Sequence, residues 1–109
     1  MSNEMIDPTR AIVFIQENAL PYAQAKADRL FIEGYLKSVK ATLMNESDSS
    51  SLGAKEQYAY SHERYLEQLN AMKVAVEQEE RLKYLMEAAK MKVEVWKTQE
   101  YTKRTEMKM

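Results

Sequence analysis

Apolar residues recur at spacings of three and four residues along most of this chain, which is the period of one face of an α-helix. In the C-terminal half the pattern forms two heptad seams. The first seam consists of Tyr65, Leu69, Met72 and Val76, and the second of Leu82, Met86, Ala89, Val93 and Trp96. These steps predict one long helix over 62–107 that packs along its seams as a coiled coil does.

The two seams of this helix differ in phase. Val76 and Leu82 are six residues apart instead of seven, and the segment 77–81 between them is entirely polar. We therefore expect the contacts between this helix and its neighbours to be weakest there.

The N-terminal half has the same period but contains both prolines of the chain. Asp7 followed by Pro8 is typical of an N-cap with proline at the first helical position. Pro21 lacks a backbone N–H and restricts the residue before it to extended angles, so we expect the first helix to end before it. The predicted elements are a short helix over 8–18, a corner, and a second helix over 21–44.

The second predicted helix has apolar residues on two of its faces and charged residues on a third. One apolar seam consists of Ile32, Leu36, Val39 and Leu43, and the other of Ala23, Ala27, Leu30, Phe31 and Ala41. A helix with two apolar faces is expected to bury both of them. The pattern therefore predicts that this helix contacts more than one neighbour.

The polar segment 45–53 contains four serines and a glycine, which predicts a loop. A short helix over 54–60 can follow, and Ser61 or His62 is the start signal of the long helix. The predicted fold class is all-α: an elongated antiparallel helical hairpin with a short N-terminal helix, in one domain over 1–109. Because pairing two hairpins into a helical bundle would bury the remaining seams, we expect a homodimer or other homo-oligomer, or a complex with another protein.

Composition restricts the location of the protein. The longest apolar run has five residues, far fewer than the roughly 20 that span a membrane. The first four residues lack the basic and apolar segments of a secretory leader, and the chain contains no cysteine. We therefore expect no membrane contact, no disulfides and a cytoplasmic location.

Residues that could act in catalysis or metal binding lack the partner residues that these functions require. His62 is the only histidine and has no cysteine to complete a zinc site. The loop serines have no local histidine partner for nucleophilic catalysis, and Gly34 and Gly53 are too far apart for a phosphate-binding loop. We therefore predict no catalytic residues, no metal site and no cofactor, and we expect the chain not to be an enzyme.

The second half of the chain consists of an acidic segment followed by a basic one. Residues 45–80 carry 3 basic and 8 acidic side chains, whereas residues 81–109 carry 8 basic and 4 acidic ones. Glu77, Glu79 and Glu80 can attract a protein partner with a basic surface. Trp96 is a further candidate for partner binding, unless it packs inside the seam.

The basic end favours a different ligand. Its candidates for nucleic-acid binding are Lys90, Lys97, Lys103 and Arg104. Lysine and arginine bind phosphates, but the glutamates interleaved with these residues favour a solvated face with local ion pairs. Direct contact with DNA therefore remains an alternative to protein binding.

Three segments of the chain, 57–65, 75–82 and 93–97, resemble a group of small helical proteins encoded by temperate bacteriophages and prophages, often near genes for single-strand annealing and exonuclease functions. The motifs that carry the resemblance are Glu-x-Glu-Glu-Arg-Leu and Val-Glu-Val-Trp-Lys, and the match covers roughly 21–106. The resemblance implies no enzyme. It implies an accessory role in recombination, or in inhibition of a host nuclease, in the cytoplasm of a bacterial host.

Three functions are consistent with these patterns. The first is a non-enzymatic phage accessory protein that binds a DNA recombination or repair protein through its helical surfaces. The second is a direct DNA-binding protein that uses the basic C-terminal helix. The third is a structural or assembly oligomer. The first has the support of the resemblance and of the apolar seams.

Overall fold

The computed structural model describes residues 6–108, and 92% of these residues are helical. Three α-helices follow one another: α1 spans Pro8–Glu46, α2 spans Leu52–Ser61 and α3 spans Glu63–Lys108. No strand occurs within the described range. The fold is the all-α helical hairpin that the periodicity predicts. The expectation about a leader concerns residues 1–4, which lie outside the described residues.

Pro21 lies inside α1, so the predicted corner and the separate helices over 8–18 and 21–44 are wrong. Proline removes one intrahelical hydrogen bond, which leaves the carbonyl oxygen of Glu17 without its donor. Both residues are exposed, and water can therefore bind this oxygen.

The packing of α1 explains why the helix continues past the proline. Asn18, Tyr22 and Ala25 are buried or partly buried, and they follow one another in steps of four and three residues. The same face of one helix is thus covered before and after Pro21, and a break would remove one part from its contacts. Asn18 Nδ2 also donates a hydrogen bond to the carbonyl oxygen of Phe14 (2.8 Å), one turn before the proline.

Side-chain caps begin the first two helices. Asp7 Oδ1 accepts hydrogen bonds from the backbone N–H groups of Thr9 (3.0 Å) and Arg10 (3.4 Å), which confirms Asp7 as the N-cap of α1. Ser51 Oγ accepts a hydrogen bond from the N–H of Ala54 (3.1 Å) and caps α2.

The loop between α1 and α2 covers residues 47–51, which is shorter than the predicted 45–53. Its serines bond locally, since Ser47 Oγ accepts a hydrogen bond from the N–H of Ser49 (3.3 Å). The short helix predicted over 54–60 corresponds to α2. His62 separates α2 from α3 and lies at the predicted start of the long helix.

Contacts within the chain divide it into two units. Within the described residues, the first unit comprises 6–23 and 80–108. Its core contains Ala11 of α1 and Leu82 and Ala89 of α3. The predicted seam of Leu82, Met86, Ala89, Val93 and Trp96 is confirmed, because all five residues are buried or partly buried.

The second unit, Gln24–Glu79, contains the rest of α1, all of α2 and the beginning of α3. Leu43 and Ala59 are fully buried in it. The predicted α1 seam of Ile32, Leu36, Val39 and Leu43 is confirmed as buried or partly buried. The other predicted α1 seam is exposed at all five positions, Ala23, Ala27, Leu30, Phe31 and Ala41, because within the chain α1 packs on a single face.

The first predicted seam of α3 is only half right. Tyr65 and Met72 are partly buried, whereas Leu69 and Val76 are exposed. A seam of buried or partly buried residues of α3 instead runs through 65, 68, 72, 75, 79, 82, 86 and 89, in unbroken steps of three and four, and the partly buried residues 71, 80 and 83 lie beside it. The predicted change of phase is therefore wrong. Its physical reason is that a polar residue, Glu79, takes the seam position that the apolar pattern left vacant.

None of the helices within residues 6–108 is both long and apolar enough to cross a membrane.

Candidate functional site

Glu79 is the last residue of the second unit and is only 6% exposed. Arg29 of α1 donates two hydrogen bonds to it, from Nε to Oε2 and from Nη2 to Oε1, the second at 3.2 Å. This bidentate geometry satisfies both carboxylate oxygens and compensates the buried charge. The structure thus corrects the assignment of Glu79 to an exposed partner-binding surface.

Arg29 also binds a second carboxylate on its own helix. Its Nη1 lies 2.9 Å from Oε2 of Glu33, one turn away. The hydrogen bond to Glu79 raises the pKa of Arg29, burial acts in the opposite direction, and the two negative charges add to the increase. The guanidinium therefore stays charged, and the charge of Glu79 stays compensated.

The other three candidates for partner binding differ in accessibility. Glu77 is exposed, whereas Glu80 is partly buried and belongs to the first unit. Trp96 is partly buried at a seam position of the first unit. Of the four, Glu77 has the environment expected of a residue that a partner can reach.

An exposed apolar surface lies beside Glu77, at positions that the sequence assigns in part to the core. Leu66, Leu69 and Val76 are 49%, 46% and 36% exposed. A shallow depression of about 430 Å³ is lined by Leu66, Leu69, Asn70, Met72 and Lys73. We call the surface formed by Leu66, Leu69, Lys73, Val76 and Glu77 the Leu69 face.

A second apolar surface of the same unit is a groove between α1 and α3, which we call the Phe31 groove. It has a volume of about 520 Å³ and is lined by Ala25, Asp28, Phe31, Ile32, Ala71, Val74, Ala75 and Gln78. Phe31 and Val74 are 72% and 59% exposed. The Phe31 ring is stacked on the ring of Tyr35, with centroids 6.1 Å apart. The sequence indicates Phe31 as part of a second apolar face, but not the residues of α3 that complete the groove.

The candidate nucleic-acid residues all lie on the exposed surface of α3 in the first unit: Lys90, Lys97, Lys103 and Arg104. Lys97 Nζ lies 3.2 Å from Oε1 of Glu94, and Lys103 Nζ lies 3.6 Å from Oε1 of Glu100. Carboxylates thus accompany two of the four basic groups, and they weaken the positive potential that phosphate binding requires.

An aromatic cluster joins α2 to its neighbours in the second unit. Tyr60 packs edge to face against Tyr65, with ring centroids 5.2 Å apart, and Lys40 Nζ lies 4.7 Å from the centroid of Tyr60. Hydrogen bonding with the Tyr60 side chain raises the pKa of Lys40, while burial acts in the opposite direction. This cluster holds α2 in place, so its aromatic rings serve packing.

His62 takes part in local structure. Its Nδ1 accepts a hydrogen bond from the N–H of Arg64 (3.1 Å), and its ring contacts Tyr58 edge to face. Among residues 6–108, no group of three or more histidine, cysteine, aspartate and glutamate side chains is placed to hold a metal ion.

Comparisons with protein-family models, with curated proteins and with solved structures gave no significant match to this chain. The resemblance to phage accessory proteins therefore stays a hypothesis.

Proposed function

We propose that this chain is a non-enzymatic binding protein whose Leu69 face engages a helix of a partner protein. The observation that carries the proposal is the exposure of Leu66 and Leu69 on a folded helix whose seam is occupied by other residues. Contiguous apolar side chains bordered by charged ones are typical of protein interaction sites. The Leu69 face has the three- and four-residue spacing with which one helix packs on another.

Charge favours a partner with a basic surface. The segment 45–80, which includes the Leu69 face, carries 3 basic and 8 acidic residues. Two of these acids are already compensated by arginines, Glu79 by Arg29 and Glu46 by Arg64. Glu77 is exposed beside Val76, so a basic residue of the partner helix would meet it at the edge of the apolar contact.

The resemblance supports the class of partner. We infer a phage accessory protein that acts in the cytoplasm of a bacterial host and binds a protein of DNA recombination or repair. Both a helper of recombination and an inhibitor of a host nuclease fit this mode of action, because either needs a helical surface and no catalytic group.

The test is affinity capture from bacterial lysate with three tagged proteins: wild type, Leu69→Arg and Leu52→Arg. Leu52 is a matched control because it is also an exposed leucine, 67% accessible, at the start of α2 and outside the Leu69 face. We expect wild type and Leu52→Arg to recover the same annealing protein, nuclease or single-strand-binding protein, and Leu69→Arg to lose it. Recovery of no such protein, or equal recovery by Leu69→Arg, would contradict the proposal.

Direct DNA binding has weaker support from the geometry. It depends on exposed basic residues, but Lys97 and Lys103 are paired with Glu94 and Glu100. A structural oligomer without another partner would leave the Leu69 face unexplained.

A further inference from the structure

The Phe31 groove combines a protruding side chain with a depression beside it. Phe31 is 72% exposed and borders a groove whose alanines, Ala25, Ala71 and Ala75, provide a shallow lining. It lies on another face of α3 than the Leu69 face, because its α3 residues 71, 74, 75 and 78 follow a separate row of the helix. A two-fold interface requires the same surface on both subunits to be self-complementary. The exposed Phe31 ring and the depression beside it meet this requirement, because the ring of one copy can enter the depression of the other.

We propose that a second copy of this chain covers the Phe31 groove. The two α1 helices run antiparallel about a two-fold axis near Phe31 and Ile32, and Phe31 of each copy enters the groove of the other. Val74 of α3 adds apolar contact at the side of each ring. The partner bound at the Leu69 face is a separate molecule on a separate surface.

The proposed axis pairs two polar residues of α1. Asp28 and Tyr35 lie equally far before and after the midpoint between Phe31 and Ile32. In an antiparallel pair Asp28 of one copy therefore comes level with the second copy's Tyr35. The phenol can donate a hydrogen bond to the carboxylate at both ends of the apolar contact. Asp28 lines the groove and Tyr35 is 47% exposed, so both groups are accessible.

The Phe31 groove and the Leu69 face lie on different faces of α3. A second copy can therefore cover the Phe31 groove and still leave the Leu69 face accessible.

The first test is molar mass in solution, measured by sedimentation equilibrium from micromolar to near-millimolar concentration. Phe31→Asp introduces a charge into the groove, whereas Leu30→Asp makes the same change on the next residue, which is 52% exposed and does not line the groove. We expect wild type and Leu30→Asp to dimerise and Phe31→Asp to raise the dissociation constant at least about tenfold. Circular dichroism verifies that each variant is folded.

The second test fixes the geometry by disulfide cross-linking, because the chain has no cysteine of its own. Residues 28 and 35 lie about 10.5 Å apart along α1, beyond the Cα separation of about 4.4–6.8 Å that a disulfide allows. Asp28→Cys alone and Tyr35→Cys alone should therefore stay uncross-linked. A mixture of the two variants should form a cross-linked pair under mild oxidation.

Three results would contradict the proposed dimer or its register. A wild-type protein that is monomeric at every concentration would overturn the proposal, whether or not the Leu69 face captures a partner. Dissociation by Leu30→Asp together with an intact Phe31→Asp dimer would place the interface on another face of α1. Cross-linking of either single cysteine variant with itself would exclude the proposed register.

Discussion

Arg29 of α1 and Glu79 of α3, fifty residues apart in sequence, form a bidentate ion pair inside the second unit. Glu79 occupies a seam position between Ala75 and Leu82, where a coiled coil ordinarily has an apolar residue. A charge in such a position favours the one alignment of the two helices that provides its partner. The pair therefore fixes the register of α1 against α3 in the second unit.

The first prediction concerns this pair. Arg29→Met should destabilise the protein strongly, because it leaves the Glu79 carboxylate buried without compensation. Arg29→Met combined with Glu79→Met should recover much of the lost stability, since two apolar side chains suit a seam. Urea unfolding followed by circular dichroism measures both effects.

Arg64→Met is the matched control for that prediction. Arg64 pairs with Glu46 on the surface, where both side chains are about half exposed, and exposed pairs contribute roughly 0–1 kcal/mol. Equal losses of stability in Arg29→Met and Arg64→Met would show that the position of Glu79 in the seam carries no special penalty.

Sequence patterns predict the parts of this fold that depend on local spacing. The helical class, the cap at Asp7 and the seam from Leu82 to Trp96 follow from residues close to one another in the chain. Glu79 could not be placed in this way, because its burial depends on Arg29 in a different helix. Without knowledge of its partner, a polar residue in a heptad position is predicted to be exposed to solvent.

Other differences between the predicted and the observed structure also depend on contacts between helices that are distant in sequence. The spacing of Leu69 and Val76 fits a seam, but the alternative register through Gln68, Ala75 and Glu79 connects without a break to Leu82. Choosing between these registers requires the facing helix. At Pro21 the local geometry of proline predicts a break, whereas packing before and after the proline maintains the helix. The Leu69 face consists of residues that the observed register leaves exposed.

The second prediction tests the core of the first unit. Leu82 is 4% exposed and Leu85, one turn later on α3, is 42% exposed. Leu82→Ala should lower the free energy of unfolding by about 2–5 kcal/mol, because it leaves a cavity. Leu85→Ala should have an effect of about 1 kcal/mol or less. Thermal or urea unfolding of the two variants would contradict the seam if their losses were equal.

The third prediction concerns the proline in α1. Pro21→Ala restores the N–H that can bond to the carbonyl oxygen of Glu17, and alanine is about 3 kcal/mol more favourable than proline inside a helix. The larger freedom of the unfolded chain offsets part of this gain. We expect a melting temperature several degrees above that of wild type. A lower one would mean that the packing near Tyr22 depends on the shape that proline imposes.

The fourth prediction is a pH dependence at the contact of Lys40 with Tyr60. Hydrogen bonding with Tyr60 raises the pKa of Lys40 in the folded state. A raised pKa stabilises the fold fully below the unfolded value, about 10.4, and the contribution is lost as pH rises through the folded value. Lys40→Met should therefore be less stable than wild type at neutral pH, and the difference should shrink above about pH 10.4.

Urea unfolding of wild type and Lys40→Met at a series of pH values measures that difference directly. The comparison cancels the titration of the other lysines and tyrosines, which both proteins share. A difference that is constant from neutral to strongly alkaline pH would show that the ammonium group contributes nothing through Tyr60.

The last prediction separates protein binding from DNA binding by charge reversal. Replacing Lys90, Lys97, Lys103 and Arg104 by glutamate should leave capture of a protein partner intact, because these residues lie outside the second unit that contains the Leu69 face. Glu77→Lys should reduce that capture, mainly by slowing association, since exposed charges act on the rate of encounter.

Wild type itself should show no measurable affinity for DNA at about 50 mM salt, because Glu94 and Glu100 accompany Lys97 and Lys103. Salt-sensitive DNA binding that disappears only in the basic-end variant would instead establish α3 as a nucleic-acid-binding helix.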